Sequence, residues 1–215
     1  MYNPDKYKAV RLNPSQARGK ERVRLILSAA LALFKDQGLE AVTTNDIAQA
    51  AHIPIGSLYR YYPNKEAIVA ALTTLYVDDI IEIFDDIATH PMLQHMGWDE
   101  VLLLMVESWV NYSRLSGPFA FLYAVRASPR LRLQNSEAWE RFARAYTAVL
   151  KKRCPAITDR EATVYLQLML AAVEMGVSTE YPAATGVPLH HAAAEILAAH
   201  LMRCCREHRH HAPAS

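Results

Sequence analysis

The chain of 215 residues predicts an all-α protein. Three observations carry that reading. Apolar residues recur every three or four positions, the spacing of one face of a helix. Alanine, leucine and glutamate, all good helix formers, recur throughout. Only 7 glycines are present, too few for an all-β chain with many tight turns. With 52% apolar residues the chain can bury a real core and is not of the disordered class.

The elements follow in order. Residues 1–19 hold Pro4, Pro14 and Gly19 without periodicity and read as a flexible arm. From Arg22, the spacing of Ile26, Leu27, Ala30, Leu31 and Phe34 marks a first helix, which Gly38 caps. Thr43 starts a second helix with Asp46 as its partner acid, and Ile47, Ala48 and Ala51 form the buried face. "HIPIG" is a turn and "SLYRYY" a short third helix. Pro63 ends it, and Asn64 caps a fourth helix reaching about Ala88. Helical spacing continues over 99–115, 119–127, 137–153, 158–180 and 189–207, giving about nine helices in all. No strand pattern is long enough to stand, and there is no tandem repeat. The expected domains are the arm (1–19), a three-helix unit (20–66) and a larger helical bundle (67–215), joined by helix four (64–88).

Residues 43–62 meet the demands of a helix–turn–helix. Ala48 is small where the second helix of the motif crosses the first. Ile53 is the buried aliphatic after the turn, and Leu58 with Tyr61 or Tyr62 faces inward. The turn position needs φ > 0 and is usually glycine. Here it is His52, one of the few other residue types enriched there.

The string "AVTTNDIAQAAHIPIGSLYRYYPNKEAI" closely resembles the DNA-binding segment of the TetR-type (tetracycline repressor-like) transcriptional regulators. The resemblance runs from Arg22 to about Leu72 and includes Gly56-Ser57-Leu58-Tyr59-Arg60-Tyr61-Tyr62, then Asn64-Lys65-Glu66. The departures are His52 for the turn glycine, Tyr62 for phenylalanine, and Pro54-Ile55 where small polar and basic residues are common. The resemblance implies an N-terminal helix–turn–helix DNA-binding domain and a C-terminal helical ligand-binding and dimerisation bundle. It also implies that helix three enters the major groove of double-stranded DNA. Tyr59 and Tyr61 are then expected on phosphates, Ser57 on a base edge or phosphate, and Pro54 and Ile55 beside the groove, with Ile55 on a thymine methyl. Gly56 admits a close backbone approach. Thr43 and Thr44 donate to phosphate from a helix N-terminus. Lys65 does so with full charge, and Arg60 faces solvent or phosphate. Leu58 and Tyr62 go to the core.

For the C-terminal body, Met105, Trp109, Tyr112, Phe119 and Tyr123 are the expected lining of an effector pocket, suited to a small hydrophobic or aromatic molecule. Glu107 and Asn111 interrupt the apolar pattern there. The last two helices are rich in small residues, among them Ala171, Ala172, Gly176, Ala194 and Ala198, which allow close packing. The resemblance makes them a homodimer interface, so that two recognition helices read a palindrome. The implied function is a sequence-specific repressor released by its effector, with no cofactor and no enzymatic activity.

Charge and composition agree with that expectation. Residues 1–65 carry ten Lys and Arg against five Asp and Glu, whereas the whole chain nets only +1, so the remainder nets −4. A basic first third suits a polyanion, and Lys6, Lys8, Arg11, Arg18 and Lys20 are placed to follow a minor groove. Apolar runs such as 101–106 are far below the ~18 residues of a membrane span. The polar N-terminus lacks a signal-peptide core, so a cytoplasmic protein without membrane contact is expected. The three cysteines, Cys154, Cys204 and Cys205, form no disulfide framework by count. The tail "CCREHRHHAPAS" and the pair His190-His191 are ligand types at no standard zinc spacing, so no metal site is expected. There is no Gly-rich phosphate loop, no HExxH and no Ser–His–Asp pattern.

Overall fold

The computed structural model describes residues 14–91, 95–116, 119–178 and 188–210. They form ten helices and no strand: α1 (Pro14–Gln37), α2 (Thr44–Ala50), α3 (Ile55–Tyr59), α4 (Lys65–Thr89), α5 (Trp98–Ser116), α6 (Phe119–Ala127), α7 (Pro129–Gln134), α8 (Ser136–Arg153), α9 (Asp159–Ser178) and α10 (Leu189–His210). The all-α expectation holds. The tenth helix is α7, too short to show a period in the sequence. It starts on a local signal instead: Ser128 accepts from the N–H of Leu131, and Pro129 stands at the first turn. α1 begins at Pro14, inside the segment read as an arm, because proline fits the first turn of a helix as well as it fits a coil.

The helix ends are set by short-range chemistry. Gly38 has φ 82° and its N–H closes on the carbonyl of Phe34, ending α1. Asn64 Oδ1 accepts from the N–H of Ala67 at 2.8 Å and starts α4. Thr158 and Glu161 make a reciprocal capping box at the start of α9.

The chain divides into two compact units: residues 1–76 with 115–136, and residues 77–114 with 137–215. The first contains α1–α3, the start of α4, α6 and α7. Ile26, Ala30, Ile47, Leu58 and Ile68 are fully buried in it. Phe34 stacks on Phe121 of α6 at 5.8 Å, and Arg130 of α7 pairs with Glu66 of α4 at 2.9 Å. The second is built on an aromatic cluster. Phe84 lies 6.0 Å from Trp109, 5.7 Å from Phe142 and 6.1 Å from Tyr146. The ring of Trp109 meets Phe142 edge-on at 5.2 Å. α9 and α10 pack along each other in this unit.

The cysteines correct the sequence reading. Cys154, just past α8, and Cys205, on α10, are paired as a disulfide, leaving Cys204 free. Counting cysteines could not show this, because the pair is 51 residues apart and adjacency of Cys204 and Cys205 pointed away from it. Thiol titration of the unfolded, unreduced protein should find one reactive cysteine per chain, and three after reduction. Closing a loop of this size should contribute about 2–4 kcal/mol, so dithiothreitol should lower the denaturation midpoint accordingly.

Candidate nucleic-acid interface

α2 and α3 form a helix–turn–helix. Thr43 caps α2: its hydroxyl donates to Asp46 Oδ2 at 2.6 Å, its N–H donates to the same oxygen at 2.8 Å, and Asp46 N–H returns a bond at 3.3 Å. These two bonds from Thr43 hold the Asp46 carboxyl below its ordinary value. After α2, His52 turns the chain with φ 52°, the only non-glycine residue with positive φ among those described. Its N–H donates to the Gln49 carbonyl, and the N–H of Ile53 donates to that of Ala48. Ala48, Ile53 and Leu58 are all buried, so the crossing of the two helices is a small residue against two aliphatics.

α3 presents a different surface outward. Tyr59 is 48% exposed, Tyr61 37% and Ile55 36%, while Leu58 beside them is 0%. Pro54, Gly56 and Arg60 are exposed and Ser57 is half-buried. No atom lies within 4 Å of where a Gly56 Cβ would be, so the space over this backbone is open. The hydroxyls of Tyr59 and Thr44 lie 3.0 Å apart and link α3 to the start of α2. Tyr62 is the inward aromatic, and burial raises its phenol above the usual range.

Lys65 is used differently from the expectation. Its ammonium donates to the carbonyls of Leu39 at 2.7 Å and Glu40 at 3.2 Å, tying the start of α4 to the α1–α2 turn. Its place at the start of helix four and its full charge made it an expected phosphate contact; nothing local in sequence pointed to carbonyls some 25 residues away. Of the basic arm, Lys6, Lys8 and Arg11 lie outside the described residues, while Arg18 and Lys20 are exposed on α1.

The five residues expected around an effector are distributed unevenly. Met105, Trp109 and Tyr112 are buried on α5, and the Tyr112 hydroxyl donates to Asp79 at 2.8 Å. Phe119 and Tyr123 lie on α6, in the first unit; Tyr123 is 45% exposed, and the side chain of Phe119 lies outside those described. Sequence reasoning missed the α4 and α8 partners of Trp109, namely Phe84 and Phe142, and the packing of Tyr146 on Phe84.

Residues 26–72 match the model of the bacterial regulatory proteins of the tetR family. The HTH-type transcriptional repressor KstR2 of Rhodococcus jostii is 39% identical over 62 residues, 29% of this chain and 30% of the relative. The similarity thus spans less than a third of that relative's length. Over the whole fold, the fatty acid degradation regulator FadR of Bacillus halodurans superposes with a TM-score of 0.66 at 16% identity, covering 90% of this chain and 97% of that one. FadR of Bacillus subtilis, solved in complex with stearoyl-CoA, gives 0.63 at 18% identity, covering 81% and 97%.

Replacing Thr43 by alanine should destabilise the protein by about 0.5–2 kcal/mol in denaturant melts. Because the folded-state value of Asp46 is depressed, its contribution is present above the ordinary carboxylate value of 3.8 and lost as the pH falls below it. The stability difference between wild type and Asp46→Asn should therefore be present at neutral pH and shrink below that value.

Proposed function

We propose that the chain, whose residues 26–72 match the tetR family model, is a dimeric repressor released from a palindromic operator by a small apolar or aromatic effector. The observation that carries it is the surface of α3. A five-residue helix has one fully buried side chain, Leu58, and turns Ile55 and Tyr59 to solvent, and Tyr61, two residues past its end, is exposed as well. Soluble surfaces rarely gather aromatics in this way without a partner. Tyrosine hydroxyls suit phosphate oxygens, the isoleucine suits a thymine methyl, and the exposed Arg60 adds charge.

Dimerisation rests on α9 and α10. Val164 (52% exposed) and Leu168 (46%) lie four apart on one face of α9, and Ile196 is 71% exposed on α10. These are the large apolar side chains that a second copy would cover, and α9 and α10 are the helices that the small residues were expected to bring to a partner. A monomer would present a single head, whereas two heads about 34–36 Å apart read two half-sites.

The effector reading rests on the second unit. Tyr146 Oη, Trp139 Nε1 and Ser113 Oγ are buried and make no hydrogen bond there. Buried polar atoms are normally paired. Around the Phe84–Trp109–Phe142 cluster they are the polar contacts that an otherwise apolar ligand would complete. The Bacillus subtilis FadR of similar fold was solved with stearoyl-CoA, which supports a ligand with a long apolar part. α4 supplies residues to both units, so an effector that favours one placement of α4 can alter how the heads meet DNA.

Light scattering should give a dimer for the wild type and a monomer for Leu168→Glu/Ile196→Glu. On a selected DNA site the double variant should bind ~100-fold more weakly, the loss expected when two tethered heads become one. Tyr59→Phe should weaken all DNA sequences alike by about 1 kcal/mol, and Ile55→Ala should relax preference at one base pair. A wild-type monomer, or a double variant with unchanged affinity, would refute the dimeric reading.

A further inference from the structure

The second unit brings a distant carboxylate against two adjacent histidines. Glu107 stands on α5, and His190 and His191 stand in the first turn of α10. The Nε2 of His190 lies 2.8 Å from Glu107 Oε1, and the Nε2 of His191 meets the same oxygen. The two imidazoles are edge to face with centroids 4.7 Å apart. One ligand atom from each of the three residues falls within a 4.8 Å group.

The surroundings hold these groups in place. His190 is buried, at 6% exposure. Its ring lies on the backbone of Gly176 in α9, where an added Cβ would come within 2.9 Å of His190 Cγ and 2.6 Å of Val110 Cγ2. Only glycine leaves room for the imidazole. The other oxygen of Glu107 accepts from Asn111 Nδ2 at 3.4 Å, which orients the carboxylate. Burial raises the Glu107 carboxyl, but the bonds and charge of His191 and His190 outweigh it and keep the group ionised.

We propose that Glu107, His190 and His191 bind one divalent first-row transition-metal ion of the zinc class. Two imidazole nitrogens and one carboxylate are the donor set of open zinc sites, in which a fourth position takes water or a ligand atom. A hard ion such as Mg²⁺ prefers oxygen donors and is disfavoured. The ion would pin the start of α10 to α5 within this unit. The site stands whether or not the chain binds DNA, because its ligands are confined to the second unit.

The test uses the full chain, stripped by a chelator, with His208, His210 and His211 changed to alanine and Cys204 to serine so that the tail offers no competing donors. Zn²⁺ should bind at one ion per chain in competition with a chromophoric chelator and should raise the melting temperature, whereas Mg²⁺ should not. Glu107→Gln and His191→Asn, both at partly exposed positions and checked for helix by circular dichroism, should each weaken Zn²⁺ binding ~100-fold, since loss of even an outer partner costs 10–100-fold. Absence of both binding and thermal shift would overturn the proposal. So would an affinity indifferent to both substitutions, or an equal response to Mg²⁺.

Discussion

The burial of Leu58 is the constraint on which the exposed surface of α3 depends. α3 has five residues, whereas isolated helices below ~12–15 residues are marginal in water. It cannot persist on its own hydrogen bonds. It persists because Leu58 is fully enclosed by the first unit and because the Pro54 carbonyl accepts from the N–H groups of Ser57 and Leu58 at its start. Once Leu58 is committed inward, so short a helix has no second buried face to offer. Tyr59, its last residue, and Tyr61, two positions further on, are left exposed on either side of Arg60.

The neighbouring devices all serve to fix that helix. The left-handed His52 sets the angle at which α3 leaves α2, and Ala48 keeps the crossing close. The Thr43–Asp46 box fixes the start of α2, and the Thr44–Tyr59 contact crosses from α2 to α3. Lys65 secures the far side by holding two carbonyls of the α1–α2 turn. Its charge therefore acts on the placement of α4. α4 continues from the first unit into the second.

Local chemistry was legible in the sequence and long-range pairing was not. The Thr43 cap, the Gly38 stop, the Asn64 cap and the positive φ of His52 each depend on a few adjacent residues, and each appears as expected. The early start of α1 and the short α7 escaped because proline and six-residue helices carry no period. Pairings across large separations were invisible: Lys65 with Leu39, Cys154 with Cys205, Glu107 with His190 and His191. Glu107 looked like a polar interruption of an apolar helix, and His190-His191 like a pair at no recognised spacing. Only the fold places the carboxylate against both rings.

The most direct measurement is selection of bound fragments from a random double-stranded DNA pool with the purified chain at near-physiological salt. An inverted repeat whose half-site centres lie about 34–36 Å apart is the predicted result, because two copies of α3 must lie on one face of the duplex. Retention without sequence preference, fading steeply as salt rises, would contradict it: phosphate attraction alone would then account for the basic head and its exposed tyrosines.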